Sequence, residues 1–430
     1  MRKLTENKSL SSLSNEETPR LQFFDNLRAL LVIFVILFHT AAAYCRQVPF
    51  WPFHDSSIVA EQGPLDILMM YIDVFNMPIF FFIAGYFALP TIQRKGALKY
   101  LKSKLTRLGI PLLLIAVFIL PFLDYTHYYT QTINKGIDPT NFIEYWIQSI
   151  VRITEFDIGL LDLSTYSYMT NQFYQRYAWF LSELLAFLVI FCFIYVMWNK
   201  WMKGNDVATS IGKYFSSEKR TFMLIVLGFA IGASYFLVDF FSSVGTSFFT
   251  LGNIIQFQPI KLGMFVGYFA LGVYANSRKW FTDENPLASI KTSALTAVIL
   301  SIVMIIVGRA YFRDTTHSLV LSMGFAFSLS FLGLSLLVLF TSLAMKYWSK
   351  PSIFQQKVTS NSYRMYLVHY IPVMIFPLFL GSWTGIIAEI KFLIIFLASL
   401  LVSYVTSQYF LLPVLQFKRK NPRQSIGSLQ

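Results

Sequence analysis

The stretch Phe23–Tyr44, FFDNLRALLVIFVILFHTAAAY, decides the fold. It has the ~20 residues an α-helix needs to cross a bilayer, yet it carries Asp25, Arg28 and His39. Two readings compete. A basic prelude, an apolar centre and the small residues Ala41, Ala42 and Ala43 fit a cleaved secretory leader. Cleavage after Ala43 would discard Arg28 and His39, remove one span and invert the alternation of charge along the chain, so the segment is read as a retained span. Ionisable groups in hydrocarbon are costly and face a bundle interior or an aqueous path. At ~100° per residue Arg28 and His39 return to one helix face ~16 Å apart along the axis, with Asp25 on the same face. A polar stripe through lipid implies a lined channel or cleft.

The rest of the chain agrees with a membrane solvent. Of 430 residues 55% are hydrophobic and 13% charged, a balance that a water-soluble domain cannot hide in one core. Apolar segments of spanning length fall at 24–44, 67–89, 108–123, 177–198, 220–240, 251–275, 289–309, 318–345, 363–380 and 385–413. The expected fold is therefore all-α, a polytopic bundle of about ten transmembrane helices. Net charge is +13, but the basic residues sit in clusters between apolar runs, such as Arg94, Lys95, Lys99, Lys102, Lys104 and Arg107. That placement encodes orientation and excludes a nucleic-acid footprint. The positive-inside rule puts both termini in the cytoplasm, and the acidic, tyrosine-rich segment 124–176 outside. Residues 1–20 and 417–430 read as polar cytoplasmic ends around a membrane domain over 21–416. Cys45 and Cys192 stand alone, without disulfide, redox or metal-ligand spacing, so no metal site is expected.

Within the membrane, Asp25 and Arg28 at spacing i, i+3 also read as an interfacial pair, with Arg28 snorkelling to phosphates. His39 lies too deep to snorkel and needs a partner. Asp73 lies at a similar depth in the second span and is the expected one, a carboxylate that would orient the ring and raise its basicity. Lys102, Lys104 and Arg107 form a cationic patch suited to phosphates, although a plain stop-transfer cluster has the same composition. In the fourth span Trp179 and Glu183 share a face. Trp179 suits stacking on a sugar and equally an interfacial belt; Glu183 suits binding hydroxyls or sitting as a bundle-interior carboxylate. Ser362, Tyr366 and His369 share a face of the ninth span and can line a donor path or make a helix contact.

These motifs resemble a known family. FDNLRALLVIFVILFHTAAAY, MPIFFFIAGYF, RKGALKYLKSKLTRLGIP, YAWFLSELLAF (177–187), QFQPIKLGMFVGYFALGVYANSRKW (256–280) and SYRMYLVHY (362–370) together resemble the acyltransferase-3 integral-membrane acyltransferases, in particular the glucan-biosynthesis protein C type. The resemblance implies a multi-pass enzyme of the inner (plasma) membrane. Such an enzyme moves an acetyl or succinyl group from cytoplasmic acyl-CoA, a co-substrate rather than a permanently bound cofactor, to a hydroxyl of an envelope or exported carbohydrate. It also implies that Arg28 and His39 carry the chemistry, with Asp73 set beside them by the depth argument. The family's cytoplasmic arginine pair falls on Lys104 and Arg107, so that Lys104 keeps the charge but not the bidentate grip. Tyr177 and Ala178 stand where the branch has His-Leu before Trp-Phe-Leu. A sugar hydroxyl is a poor nucleophile and needs a near-neutral base beside the thioester, a role His39 fits.

Direct transfer through His39 is the expected route, with a covalent acyl-histidine as a variant. The alternatives are a transporter or flippase for a sugar-lipid or anionic substrate, which buried charges also mark, and a non-catalytic envelope-assembly or sensor protein. Neither the acyl group, the acceptor glycan nor the oligomeric state can be read from the residues.

Overall fold

The computed structural model describes residues 21–45, 51, 63–134, 136–161, 173–201, 220–242, 244, 245, 247–281, 288–350, 352–380, 383 and 385–411. The chain runs through α1 (Gln22–Ala42), α2 (Pro64–Lys95), α3 (Ala97–Lys104), α4 (Ile110–Leu114), α5 (Leu120–Asn134), α6 (Phe142–Thr154) and strand β1 (Ile158–Leu161). It continues through α7 (Trp179–Trp201), α8 (Arg220–Phe241), strands β2 (Phe248–Leu251) and β3 (Ile255–Phe257), α9 (Pro259–Ser277), α10 (Ile290–Arg313) and α11 (Leu319–Tyr347). Last come α12 (Ile353–Val368), α13 (Tyr370–Leu380) and α14 (Ala388–Val405). Helix dominates because apolar residues recur without breaks over lengths that satisfy every backbone group internally, as a hydrocarbon solvent demands.

Eight helical segments among the described residues are long and apolar enough to cross a membrane, and α12 with α13 supplies a ninth, bent by 64°. The chain is thus a multi-pass membrane protein. Two of the ten expected spans come out differently. The expected span 363–380 is broken at His369, because Pro372 has no amide hydrogen to return to the Val368 carbonyl. The expected span 251–275 begins in a hairpin, with Gly252 (φ +62°) and Asn253 (φ +57°) forming its tip, and only α9 is helical. The loop between the paired Leu251 and Ile255 has three residues, Gly252 to Ile254, and its two consecutive positive φ values are ones that glycine and asparagine tolerate.

The core is built from α1, α2, α9, α11 and α12. On α1, Phe24, Leu27, Leu31 and Ile36 are fully buried, and on α2 Ile79, Phe81 and Phe82 are. The most extensive helix pair is α2 with α9, which cross backbone to backbone. A Cβ on Gly85 would lie 2.1 Å from the Phe269 carbonyl oxygen, and one on Gly272 would lie 2.1 Å from that of Phe82. Only glycine permits that approach. The helices α8 and α10 lie outside this core and present apolar side chains outward, as lipid-facing helices do: Phe229, Leu295, Ile299 and Ile306 are all exposed.

The expected outer loop 124–176 is largely structured. Its first part extends α5, and Tyr128 stacks on Tyr145 of α6 with ring centroids 4.9 Å apart. Tyr125 packs on both, and Trp146 Nε1 donates to the Val117 carbonyl. These aromatics hold one another rather than standing open to a sugar. Beneath them β1, β2 and β3 form an antiparallel sheet. Gln256 Oε1 accepts from the Gln175 amide (2.8 Å) and Gln256 Nε2 donates to the Phe173 carbonyl (2.7 Å), which pins the hairpin to the start of α7. Arg176, at φ 46°, ion-pairs with Asp124 of α5 at the same junction. The entry of α7, and with it Trp179, is therefore set by buried polar contacts. The terminal segments 1–20 and 417–430, together with Tyr166 and Tyr168, lie outside the described residues.

Candidate active site

Beside the C-terminal half of α1 the bundle forms a partly open cavity of ≈ 50 Å³ lined by Val35, Phe38, His39, Ile72, Asp73, Asn76, Met77, Tyr177, Trp179 and Tyr366. Four residues singled out in the sequence, His39, Asp73, Trp179 and Tyr366, thus share one space.

The partner of His39 is a second histidine, not Asp73. His39 Nδ1 lies 3.0 Å from His369 Nε2, and His369 Nδ1 lies 2.6 Å from the Tyr366 carbonyl oxygen. A carbonyl can only accept, so His369 Nδ1 carries the proton. In the neutral ring its Nε2 then accepts, and the proton between the rings belongs to His39 Nδ1. The His39 ring also bonds the Val35 carbonyl, four residues back on α1; with Nδ1–H as the donor to both acceptors, His39 Nε2 keeps its lone pair. The chain Tyr366 carbonyl, His369, His39 thus selects the tautomer in which His39 accepts a proton, as a second group does for any working imidazole.

The break between α12 and α13 makes this possible. The carbonyls next to it need new donors, and two arrive from side chains: His369 Nδ1 for Tyr366, and Tyr177 Oη, at 2.8 Å, for Leu367. Tyr366 Oη donates in return to the Tyr177 carbonyl at 2.8 Å. Tyr177 stacks on Tyr370 with centroids 4.6 Å apart and meets the His369 ring edge-on. The departure at 177 therefore has a structural role, clamping the break to the start of α7. Trp51, itself buried in the core, stacks against His39 with ring centroids 6.0 Å apart.

Asp73 has a different partner. Both of its carboxylate oxygens accept from Lys261 Nζ of α9, at 2.8 and 2.6 Å. The same ammonium is the charge acting on Glu183 of α7, which is 1% exposed and has no hydrogen-bond partner for either carboxylate oxygen among the described residues. Two carboxylates therefore flank one lysine. Lys261 was missed in the sequence because a basic residue just inside a span reads as a boundary mark; its place in QFQPIKLGMF was the only available signal. Trp179, one turn before Glu183, lines the cavity and stacks on Phe265 at 5.9 Å.

At the far end of α1, Arg28 Nη1 holds Asp25 Oδ1 at 2.8 Å, and its guanidinium lies 4.8 Å from the Phe87 ring centroid. Lys104 sits over the Tyr100 ring, where the charges of Arg107, Arg28 and Lys95 all act on it. Arg107 lies over the Tyr363 ring, whose hydroxyl donates to the Arg107 carbonyl at 2.6 Å. Arg28 thus lies near Lys104 and Arg107, ~16 Å along the helix from His39. Lys102 is exposed and joins none of these contacts. Ser362 Oγ donates back to the Thr359 carbonyl of its own helix.

A membrane helix bundle with a paired-histidine cavity at one level and a cation cluster at the other defines the class. Its family follows from comparison: the acyltransferase domain of the acyltransferase-3 type matches residues 21–408, and the chain belongs to that family. Among curated relatives it is similar to the glucans biosynthesis protein C of Salmonella schwarzengrund (strain CVM19633), 32% identical over 101 residues, 24% of this chain and 25% of the relative. The protein of the same name from Salmonella heidelberg (strain SL476) is 31% identical over the same share of each chain. The match spans about a quarter of the length of these relatives. No solved structure matches the chain.

Proposed function

We propose that this protein moves an acyl group from cytoplasmic acyl-CoA to a hydroxyl of an envelope or exported carbohydrate, from a site in the inner (plasma) membrane, with His39 as general base. The observation that carries the reading is the hydrogen-bond chain that leaves His39 Nε2 as a proton acceptor at the cavity wall. The name of the partial relatives, glucans biosynthesis protein C, supports a glucan-like acceptor.

In this mechanism the donor's phosphates rest on Arg28, Lys104 and Arg107, and its thioester reaches the cavity along α1. The acceptor oxygen bonds to the thioester carbonyl carbon as its proton passes to His39 Nε2. The tetrahedral species collapses by breaking the C–S bond, and His39 returns the proton to the departing thiolate. His369 is a positioning residue: it holds the His39 tautomer and stabilises the imidazolium by accepting from Nδ1. A positioned base contributes about 10²–10⁴-fold. Trp179 and Glu183 stand on the acceptor side.

The test uses purified protein in lipid nanodiscs, with radiolabelled acetyl-CoA and succinyl-CoA and a glucan acceptor. Wild-type protein is expected to label the acceptor, and His39→Ala to lose labelling while still binding CoA. Label retained on acid-quenched protein without acceptor would replace direct transfer by an acyl-histidine step. Protein that neither binds nor turns over acyl-CoA would refute the enzyme reading in favour of a transporter.

A further inference from the structure

Away from the cavity, α6 divides its surface into three sectors. At ~100° per residue Phe142, Tyr145, Trp146 and Ser149 share one side, the side that packs on α5, with Tyr145 and Ser149 buried. A second sector holds Ile143, Ile147 and Val151, all within about 80° of one another. These three are 57, 54 and 52% exposed. The third sector holds Glu144 and Gln148, also exposed. A helix with one packed side and two exposed sides, one apolar and one polar, meets two different solvents.

The packing shows which solvent lies where. Trp146 Nε1 donates to the Val117 carbonyl at 2.6 Å, and its ring lies 6.0 Å from that of Phe118. Tyr145, its neighbour in sequence, instead stacks on Tyr128 and carries the Arg152 guanidinium 5.4 Å from its ring centroid. These contacts lie ~15 Å apart along the membrane-crossing segment Ala97–Tyr129. The helix α6 therefore crosses that segment rather than running along it, with Trp146 toward the segment's middle and Tyr145 toward its end. On the helical wheel the apolar sector borders Trp146 and the polar sector borders Tyr145. Phe118 and Phe122 of the segment are themselves exposed, so the apolar sector continues a lipid-facing surface. Thr154, on the same side of α6, donates its hydroxyl back to the Val151 carbonyl at 2.7 Å. This end of the segment is the His39 end of the bundle, since Asp124 pairs with Arg176, one residue before Tyr177 of the cavity.

We propose that α6 is an interfacial helix lying across this segment in the leaflet on the His39 side, with Ile143, Ile147 and Val151 among acyl chains and Glu144 and Gln148 in water. The partner of this surface is bilayer lipid. The helix is also tied to the cavity wall. Asn253 Nδ2 donates to the Arg152 and Glu155 carbonyls at the end of α6, at 3.0 and 2.9 Å. Gln175 Nε2 donates to the Asn253 and Ile254 carbonyls at 3.0 and 2.9 Å, and Gln175 leads directly into Tyr177 and Trp179 of the cavity. The level of α6 in the bilayer thus sets the level of that wall. None of this depends on the acyl-transfer reading.

The test uses Ile147→Cys and Gln148→Cys, one residue but one sector apart, each carrying a nitroxide spin label in phosphatidylethanolamine–phosphatidylglycerol nanodiscs. Cys45 and Cys192 stay in place because both are buried, and the unsubstituted protein sets the labelling background. Power saturation with oxygen and with a water-soluble nickel chelate reads the depth of each label. The label at 147 should lie about 5–10 Å below the phosphates and the label at 148 at or above them. Val151→Cys and Glu144→Cys repeat the comparison one turn away where a first variant does not fold. A label at 147 as open to nickel as that at 148 would place α6 in water, and one shielded from both probes would place that face against protein. Either result overturns the proposal. Adding Asn253→Ala to Ile147→Cys should make the label more mobile, and an unchanged spectrum would overturn the tie to the cavity wall.

Discussion

The two ends of α1 hold their polar groups in opposite ways. At one end Arg28, with its side chain 34% exposed, pairs with Asp25, lies over an aromatic ring and sits near Lys104 and Arg107. At the other, His39 is enclosed by Trp51, Tyr370 and His369 and is joined to a backbone carbonyl through one further ring. In the proposed function the first end serves affinity, through Arg28, already paired with Asp25, together with Lys104 and Arg107. The second is built for a defined proton position, since its hydrogen bonds are finished except at one nitrogen. The proposed function divides binding and chemistry along this single helix.

That division is broken most strongly at the histidine. His39→Ala should lower kcat by about 10³-fold, with the affinity for CoA measured by calorimetry unchanged. Gly272→Ala should come next and act on folding, because its Cβ would enter the Phe82 carbonyl and the Tyr86 amide. A loss of about 3 kcal/mol would show as a collapsed monodisperse peak in detergent. His369→Ala should cost about 10–100-fold in kcat with little change in KM, and His369→Gln, whose side-chain oxygen can still accept from His39 Nδ1, should recover most of it. At the open end Arg28→Ala should raise the donor's KM by about tenfold and spare kcat, the loss of one charge-assisted contact. Lys104→Arg should be the mildest change, lowering that KM by about two- to threefold through a bidentate grip. If Arg28→Ala lowered kcat as much as His39→Ala, the two ends would not be separate.

Much of this organisation was legible along the chain, and what was not is instructive. Hydropathy located the helices because bilayer crossing is a property of a continuous segment. The Arg28 and His39 stripe was legible because helical periodicity is local. Depth alone suggested Asp73 for His39, but depth does not give azimuth: α2 turns Asp73 toward Lys261, 188 residues away, and the histidine at 369 comes from 330 residues away. Pro372 signalled the break in the ninth span, but the apolar run Tyr370–Leu380 that contains it hid that signal. The sixth span, 251–275, was overextended for a related reason, since Leu251, Ile254, Ile255 and Phe257 are as apolar in a hairpin as in a helix.

The glycine crossing of α2 and α9 has a mechanical meaning beyond packing. From Gly85 back to Asp73 is 12 residues, and from Gly272 back to Lys261 is 11, so the arms measure about 18 and about 16 Å. They start where two backbones touch and end in a bidentate ion pair. Two bars of nearly equal length, pinned at both ends, cannot slide or splay without breaking a pin. Helices α2 and α9 are therefore fixed to each other at two levels, with Pro78 inside α2 between the pins, whereas α12 and α13 meet at a 64° bend.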